Sequence, residues 1–407
     1  IYYRPGSAKA RLCRTGRAAL LEFCAEHDID HDVCGKVIVA TEPEELDRLD
    51  ALHERGEANG ITIERLDGDG LREREPHAAG IAALHVADAG IVDYGQVCRV
   101  LADLIVDGGG RIRTSTTVTS ARPIASGRWL ECDNAEPFAV SRVINCGGLH
   151  ADQLAMASGA SSDTRIVPFR GEYFELQPSA EHLVRDLIYP VPDPQFPFLG
   201  VHFTRMLGGG VHAGPNAVLA LAREGYTWRD INGRELMDTL RFPGFRRLAV
   251  RHWRMGLGEM WRSANRRAFV TALQRLVPEV QLEDLEPSPA GVRAQALRPS
   301  GELVDDFELI HESAATHVLN APSPAATASR AIGETTADSL GYPGTAEGPP
   351  WSSAPAELPR SPPQAGSRVP QNCEEGPGGW ALFARWRGHK GESDQSLTDG
   401  RDRGLAV

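Results

Sequence analysis

No apolar run in this sequence approaches the ~18–20 residues needed to cross a bilayer, so no membrane-spanning helix is expected. Seven cysteines are present, but they are scattered singly, with no C-x-x-C and no His/Cys pairs at metal-ligand spacing. That argues against a disulfide frame and a structural zinc site, and for a reducing compartment; no metal is expected. Positive charge is also short. Lys and Arg total 43 against 55 Asp and Glu, a formal net charge of −12. Nucleic acid is therefore a poor partner, since phosphate binding needs a clustered positive surface. Neither an initiating methionine nor a signal peptide is present. The chain opens at Ile1, inside what reads as a strand or turn, and is read as truncated at its front.

What is present suffices for a sizeable core. A chain of 407 residues accommodates about two folded units at roughly 100–200 residues each. Ala18, Leu21 and Cys24 fall at helical spacing within 17–27, and GKVIVA (35–40) reads as a short buried strand. Thr41 and Glu44 have the spacing of a capping box for a helix that places Leu46, Leu49 and Leu52 on one face. ITIERL (61–66) is a strand. Asp93 and Gln96 form a second cap, followed by a core-facing stripe of Val97, Val100, Leu101, Leu104 and Ile105. Short β-type runs fill 111–143. NCGGLHADQLA (145–155) then passes from strand through Gly147 and Gly148 into a helix. Such a turn lets a backbone approach a cofactor, although tight strand–helix packing is the simpler account.

The stretch 167–221 stands out. Arg170, His202, Arg205 and His212 sit among aromatic and apolar residues, where an unpaired charge is costly to bury. Gly208–Gly210 and the Gly214-Pro215-Asn216 turn let the backbone approach something closely. Two readings stand side by side: a small acidic ligand held by these cations, or a buried sheet whose arginines pair with local carboxylates. Residues 228–286 read as mostly helical and unusually basic, rich in Arg and Trp, with either a membrane-surface face or a plain solvated one. A hairpin is expected from 290–297 and 303–310, turning near Pro299–Gly301. In THVLNAPSPAATASRAIG (316–333), Ser323 suits an N-cap and Pro324 the first helical position, exposing N–H groups to whatever precedes the helix. From about Asp338 the chain is rich in Pro, Gly, Ser and Glu, and disorder is expected over 339–407.

Several of these words together resemble one family, the FAD-dependent L-2-hydroxyglutarate oxidases and dehydrogenases of the D-amino-acid-oxidase-like superfamily. They are YYRPGSAKARLC (2–13), CGKVIVAT (34–41), GIVDYGQVC (90–98), INCGGLHADQLA (144–155) and VPFRGEYFEL (167–176). FLGVHFTR (198–205), GGVHAGPNAVLAL (209–221), AGVRAQAL (290–297), LVDDF (303–307) and HVLNAPSPAATAS (317–329) complete the series, in family order over roughly 1–337. The resemblance implies an α/β fold of two domains (α+β in layout). An incomplete, Rossmann-like FAD-binding domain is assembled from 1–160 and 290–337, and a β-sheet substrate domain covers 161–289. It implies oxidation of the Cα hydroxyl of L-2-hydroxyglutarate to 2-oxoglutarate, with hydride passing to flavin N5. Oxygen or a quinone takes the electrons.

By the same resemblance Arg293 holds one substrate carboxylate, as an arginine does in related amine oxidases, and Arg170, Arg205 and Tyr173 are candidates for the other. His202 is the first choice of base and His212 the second, since a neutral imidazole accepts protons near pH 7. Val118, Gly147, Gly148, Asn320, Ser323, Ala325, Ala326 and Thr327 are the implied cofactor contacts. The location implied is cytoplasmic, with peripheral contact at the inner face of a membrane, or mitochondrial for a eukaryotic source. Two departures bear on this. The family's opening strand and G-x-G-x-x-G, which hold the FAD pyrophosphate, are absent, and the end after AIGETTADSL resembles nothing in the family. A second reading is therefore an inactive remnant unable to retain FAD. A third is a related flavoenzyme acting on an amine, a glycerol phosphate or another 2-hydroxy acid.

Overall fold

The computed structural model describes residues 1–193, 200–340 and 380–383. Its organising element is a nine-stranded sheet. The strands are β1 (Lys36–Ala40), β2 (Ile63–Asp67), β3 (Ala82–Val86), β4 (Arg165–Leu176), β5 (Leu187–Pro190), β6 (His202–Arg205), β7 (Val211–Gly214), β8 (Val218–Leu219) and β9 (Leu285–Leu297). In space they run β2-β3-β1-β5-β6-β7-β4-β9, with β8 beside the start of β4 on the same edge as β7. β1 and β5 pair parallel, and every other pairing in this sheet is antiparallel. The expected division at 160 and 290 thus cuts through one sheet, because strands from 36–86 and 285–297 join those from 165–219.

Eight longer helices surround it: α1 (Ala8–Glu26), α2 (Leu46–Ala58), α3 (Tyr94–Asp107), α4 (Gly233–Arg241), α5 (Pro243–Arg251), α6 (Trp253–Ala264), α7 (Arg266–Gln274) and α8 (Ala325–Ser339). α1 begins earlier than its apolar spacing implies. Ser7 Oγ accepts from the amide of Ala10, and Asp306 accepts from the amides of Ala8 and Lys9 at 3.1 and 2.8 Å. These caps satisfy the first N–H groups and start the helix inside the basic segment. Its buried face is Gly16, Leu20, Phe23 and Cys24, so Ala18 and Leu21 lie off the core.

Three further local expectations are corrected. Before α2 it is Glu45, not Glu44, that reaches back to Thr41, accepting from its amide at 2.7 Å. On α3 the Asp93 cap forms, at 2.9 Å to the amide of Gln96, but Leu101, Leu104 and Ile105 are exposed and only Val97 is fully buried. The turn at Pro299–Gly301 closes with Leu297 opposite Leu303, yet residues 308–312 then leave to pair with 315–320 in a second sheet. That sheet is four-stranded and contains Arg142–Asn145, Glu308–Glu312, Ala315–Asn320 and Trp380–Phe383. Of the segment from 339 onward, Ser339 ends α8 and Trp380–Phe383 form this strand; 341–379 and 384–407 lie outside the described residues, so the expected disorder there is not addressed.

Candidate active site

Alternation along the strands sorts the nine-stranded sheet into two faces. On one, Val37, Val39, Ile188, Phe203, Val211, Ala213 and Phe174 pack with Phe269, Val270 and Leu273 of α7 into a dry core. On the other, register places His212 opposite Thr204, His202 opposite Gly214, and Tyr189 opposite Ile38. Lys36, His202, His212 and Tyr189 therefore share that second face. The imidazole of His202 stacks on the Tyr189 ring, with centroids 4.0 Å apart, and the His212 ring lies 6.2 Å from that of Tyr173. The N-terminal segment adds Tyr2 and Tyr3 to the same cluster.

The protonation state of His202 follows from its contacts. Nδ1 lies 2.9 Å from the carbonyl oxygen of Gly200. A carbonyl only accepts, so Nδ1 carries the proton and Nε2 keeps its lone pair. Burial lowers the imidazole to about 4, with the Gly200 carbonyl opposing and the Lys36 charge reinforcing the shift. At neutral pH this is a neutral ring presenting an acceptor.

The candidate cations divide. Arg170 is buried, bound to Glu172 at 2.9 Å and stacked 4.1 Å from the Trp228 ring centroid; Trp228 Nε1 also donates to Glu172 at 2.9 Å. Arg205 lies opposite Val211, on the dry face, and pairs with Asp32. For these two, pairing with protein carboxylates is the arrangement found. Arg293 on β9 is different. It faces Tyr3, Tyr173 and Asp305, whose fields oppose the lowering of its pKa by burial. Tyr173 is likewise raised by burial and held back by Arg293. The structure thus brings His202, His212, Tyr173 and Arg293 to one cluster, and leaves Arg170 and Arg205 committed elsewhere.

Lys36 is a cation that sequence reading passed over. Its ammonium lies 4.8 Å from the Tyr2 ring centroid and 4.9 Å from that of Tyr189, with no carboxylate in ion-pair reach among the described residues. Burial lowers it to about 8. The Tyr2 hydroxyl is buried and has no hydrogen-bond partner among the described residues. Only the odd placement of a lysine at the head of the apolar run VIVA signalled this residue.

Among the residues read as cofactor contacts, those of α8 belong to a helix packed against α1. Gly16 of α1 sits so close to α8 that a Cβ there would come 2.7 Å from Ala328 Cα, and Tyr94 reaches Thr327 at 3.1 Å. α8 starts at Ala325 after Pro324 and receives no side-chain cap, so Ser323 does not act as the expected N-cap. The amides of Ala326 and Thr327 therefore face outward as donors. Nearby, Asn320 gives its amide to the carbonyls of Val304 and Asp306, at 2.9 and 2.8 Å, while its buried Oδ1 has no partner. Uncapped donors beside an orphaned acceptor fit the polar edge of a flavin ring. Gly147 is fixed by its own neighbour, its amide donating to Asn145 Oδ1 at 3.0 Å, whereas Gly148 is left-handed (φ 53°) with open space at its Cβ position. Val118 packs against the Ala121–Leu130 cluster of a separate three-stranded sheet, among 117–140.

Comparison with known proteins gives the family. The FAD dependent oxidoreductase family matches residues 1–339. An L-2-hydroxyglutarate dehydrogenase of Indibacter alkaliphilus is 46% identical over 337 residues, covering 82% of this chain and 84% of that protein. A mitochondrial L-2-hydroxyglutarate dehydrogenase of Nematostella vectensis is 46% identical over 357 residues, covering 83% and 78%. Among solved structures, an FAD-bound L-alpha-glycerophosphate oxidase from Mycoplasma pneumoniae has the same fold, with a TM-score of 0.67 at 21% identity, covering 84% of this chain and 81% of that one.

Proposed function

This chain belongs to the FAD dependent oxidoreductase family, and within it we propose that it oxidises L-2-hydroxyglutarate to 2-oxoglutarate at the face carrying His202, Tyr173 and Arg293. The relatives' names support the substrate. The observation that carries the chemistry is His202, a neutral imidazole whose tautomer is fixed by the Gly200 carbonyl. Its Nε2 takes the hydroxyl proton as the Cα–H bond breaks. FAD, when bound, supplies the acceptor for the hydride, and Ala325, Ala326, Thr327 and Asn320 would hold its polar edge. Arg293 holds the carboxylate next to the reacting carbon, a charge-assisted contact strengthened by partial burial. Tyr173 and His212 wall the same space. The test is the visible spectrum of the purified protein with FAD under anaerobic conditions. Bleaching on adding L-2-hydroxyglutarate, with 2-oxoglutarate formed, is expected. Bleaching by glycine or L-glycerol 3-phosphate instead would overturn the substrate assignment.

The electron acceptor is the second part of the reading. Oxygen is one candidate; a quinone is favoured by the surface of α5 and α6. Val250 and Trp261 are 76% and 63% exposed, and Trp253, Leu257 and Met260 also face outward. Arg246, Arg247 and Arg251 line an open hollow there with Pro243, Val250 and Ser300. Exposed Trp and Leu among arginines suit peripheral contact with an anionic lipid surface. Vesicles containing anionic lipid should sediment the protein and neutral vesicles should not. Equal indifference to both would remove this part of the proposal.

A further inference from the structure

A dicarboxylate brings a second negative charge into the site, and Arg293 accounts for only one. The other two arginines are already neutralised, by Glu172 and by Asp32. What remains on the face of His202 is an ammonium and a phenol, 4.8 Å from the one to the ring of the other, which among the described residues meet no carboxylate and no hydrogen-bond partner. A partly buried cation left unpaired is costly, and a buried hydroxyl with no acceptor adds to that cost. Both are donors, and neither meets an anion among the described residues. We propose that Lys36 and Tyr2 form the subsite for the substrate carboxylate remote from the reacting carbon, and so make the site selective for dicarboxylates.

Placement agrees with that role. Lys36 Nζ lies 4.9 Å from the Tyr189 centroid, and the His202 ring lies 4.0 Å from the same centroid. The ammonium and the imidazole are therefore no farther apart than those two lengths laid end to end. A five-carbon diacid with its hydroxyl at His202 spans that interval with its far carboxylate. The Tyr189 ring is a neighbour of both, and the Tyr2 and Tyr189 rings near Nζ hold the cation. A monocarboxylate would leave the ammonium desolvated and unpaired, which penalises it as well as rewarding the diacid.

This inference rests on the proposed substrate class, and a binding experiment separates the two. The purified protein loaded with FAD is titrated calorimetrically with glutarate and with pentanoate, inert acids of equal length. Wild type should prefer glutarate by about tenfold to a hundredfold, the range of one charge-assisted contact. Lys36→Met should erase that preference by weakening glutarate alone, and Lys36→Arg should keep most of it. Tyr2→Phe removes one oxygen and leaves the ring in place, so it tests the subsite even if Lys36→Met does not fold; a loss of about threefold to tenfold for glutarate is expected. An unchanged glutarate-to-pentanoate ratio in Tyr2→Phe and in any folded Lys36→Met would overturn the subsite. Collapse of the ratio in a protein that does not oxidise L-2-hydroxyglutarate would leave the subsite standing and sink the substrate assignment. Oxidation of L-2-hydroxyglutarate by variants that keep the wild-type ratio would do the reverse.

Discussion

Along β5, β6 and β7 the two faces of the nine-stranded sheet are built from the same strands with opposite chemistry, while towards β1 and β3 the second face too is apolar, with Ile38, Ala40 and Leu84 packed on Leu49 and Leu52. One carries Phe203, Ile188, Val37 and Ala213, closed against α7. The other carries His202, Tyr189, Lys36 and His212, one residue out of phase along the same chain. The dry face gives the strands their rigidity, since close-packed side chains leave no room for the backbone to shift. The polar face spends that rigidity on holding the proposed base and cations in fixed positions. The comparison teaches that the proposed site depends on register: a slip of one residue would turn the imidazole into the apolar core and bring the phenylalanine to the site face.

The sharpest way to break the comparison is at the base. His202→Gln should lower kcat/KM for L-2-hydroxyglutarate by about 10²–10⁴-fold, with bound flavin and thermal midpoint close to wild type. The pH dependence adds a sign. The folded imidazole sits near 4, below its ordinary 6.5, so the unfolded chain takes up the proton first. The stability tied to this residue is present above pH 6.5 and is lost as pH falls through about 4. Activity that needs the neutral ring should fall over the acid end of that window, and denaturation of His202→Gln should be less acid-sensitive than wild type. A kcat/KM unaffected by the substitution would remove His202 from the mechanism.

The opposite face should respond in the opposite way. Phe203 is fully buried, beside the Phe174–Phe269 ring pair at 4.7 Å. Phe203→Ala should cost about 3–5 kcal/mol of stability, read from chemical denaturation, while the folded fraction keeps its preference for glutarate over pentanoate. Loss of that preference without loss of stability would show that the two faces are not separable.

Much of this was legible in the sequence. The family words identified the family, and the β-rich block of 167–221 and helices within the expected 228–286 formed. The errors have physical reasons. Arg170 and Glu172 stand two apart on a strand, so a partner of opposite charge was in plain view beside the arginine. His202 and Arg205 stand three apart, and a period of two puts such residues on opposite faces. Asp32, which neutralises Arg205, is far away in sequence and no local rule finds it. The apolar stripe of α3 has helical periodicity, but periodicity says which residues share a face and not whether that face is covered. Lys36 was missed because a single lysine before an apolar run reads as the solvated end of a strand, and only the tertiary placement of Tyr2 and Tyr189 shows otherwise.

The smallest effect predicted concerns two lysines with the same aromatic seat and different company. Lys9 Nζ lies 4.8 Å from the Tyr3 ring centroid and pairs with Asp305, at 3.3 Å to Oδ1 and 3.0 Å to the backbone oxygen. Lys36 Nζ lies at the same distance from the Tyr2 ring with no carboxylate beside it among the described residues. Removing the first should weaken the ligand-free protein; removing the second should strengthen it, because an unpaired, desolvated charge disappears and the methylenes remain. Lys36→Met is expected to raise the thermal midpoint by ~2–4 °C, and Lys9→Met to lower it. The sign of the linkage sharpens the test. With Lys36 lowered from 10.5 to about 8, the wild-type deficit is fullest below pH 8, so the gain in Lys36→Met should shrink as pH rises from 8 towards 10.5. A midpoint that drops in both variants would mean that Lys36 already has a protein anion as its partner, and a residue kept for a ligand's charge would then have to be sought elsewhere on the polar face.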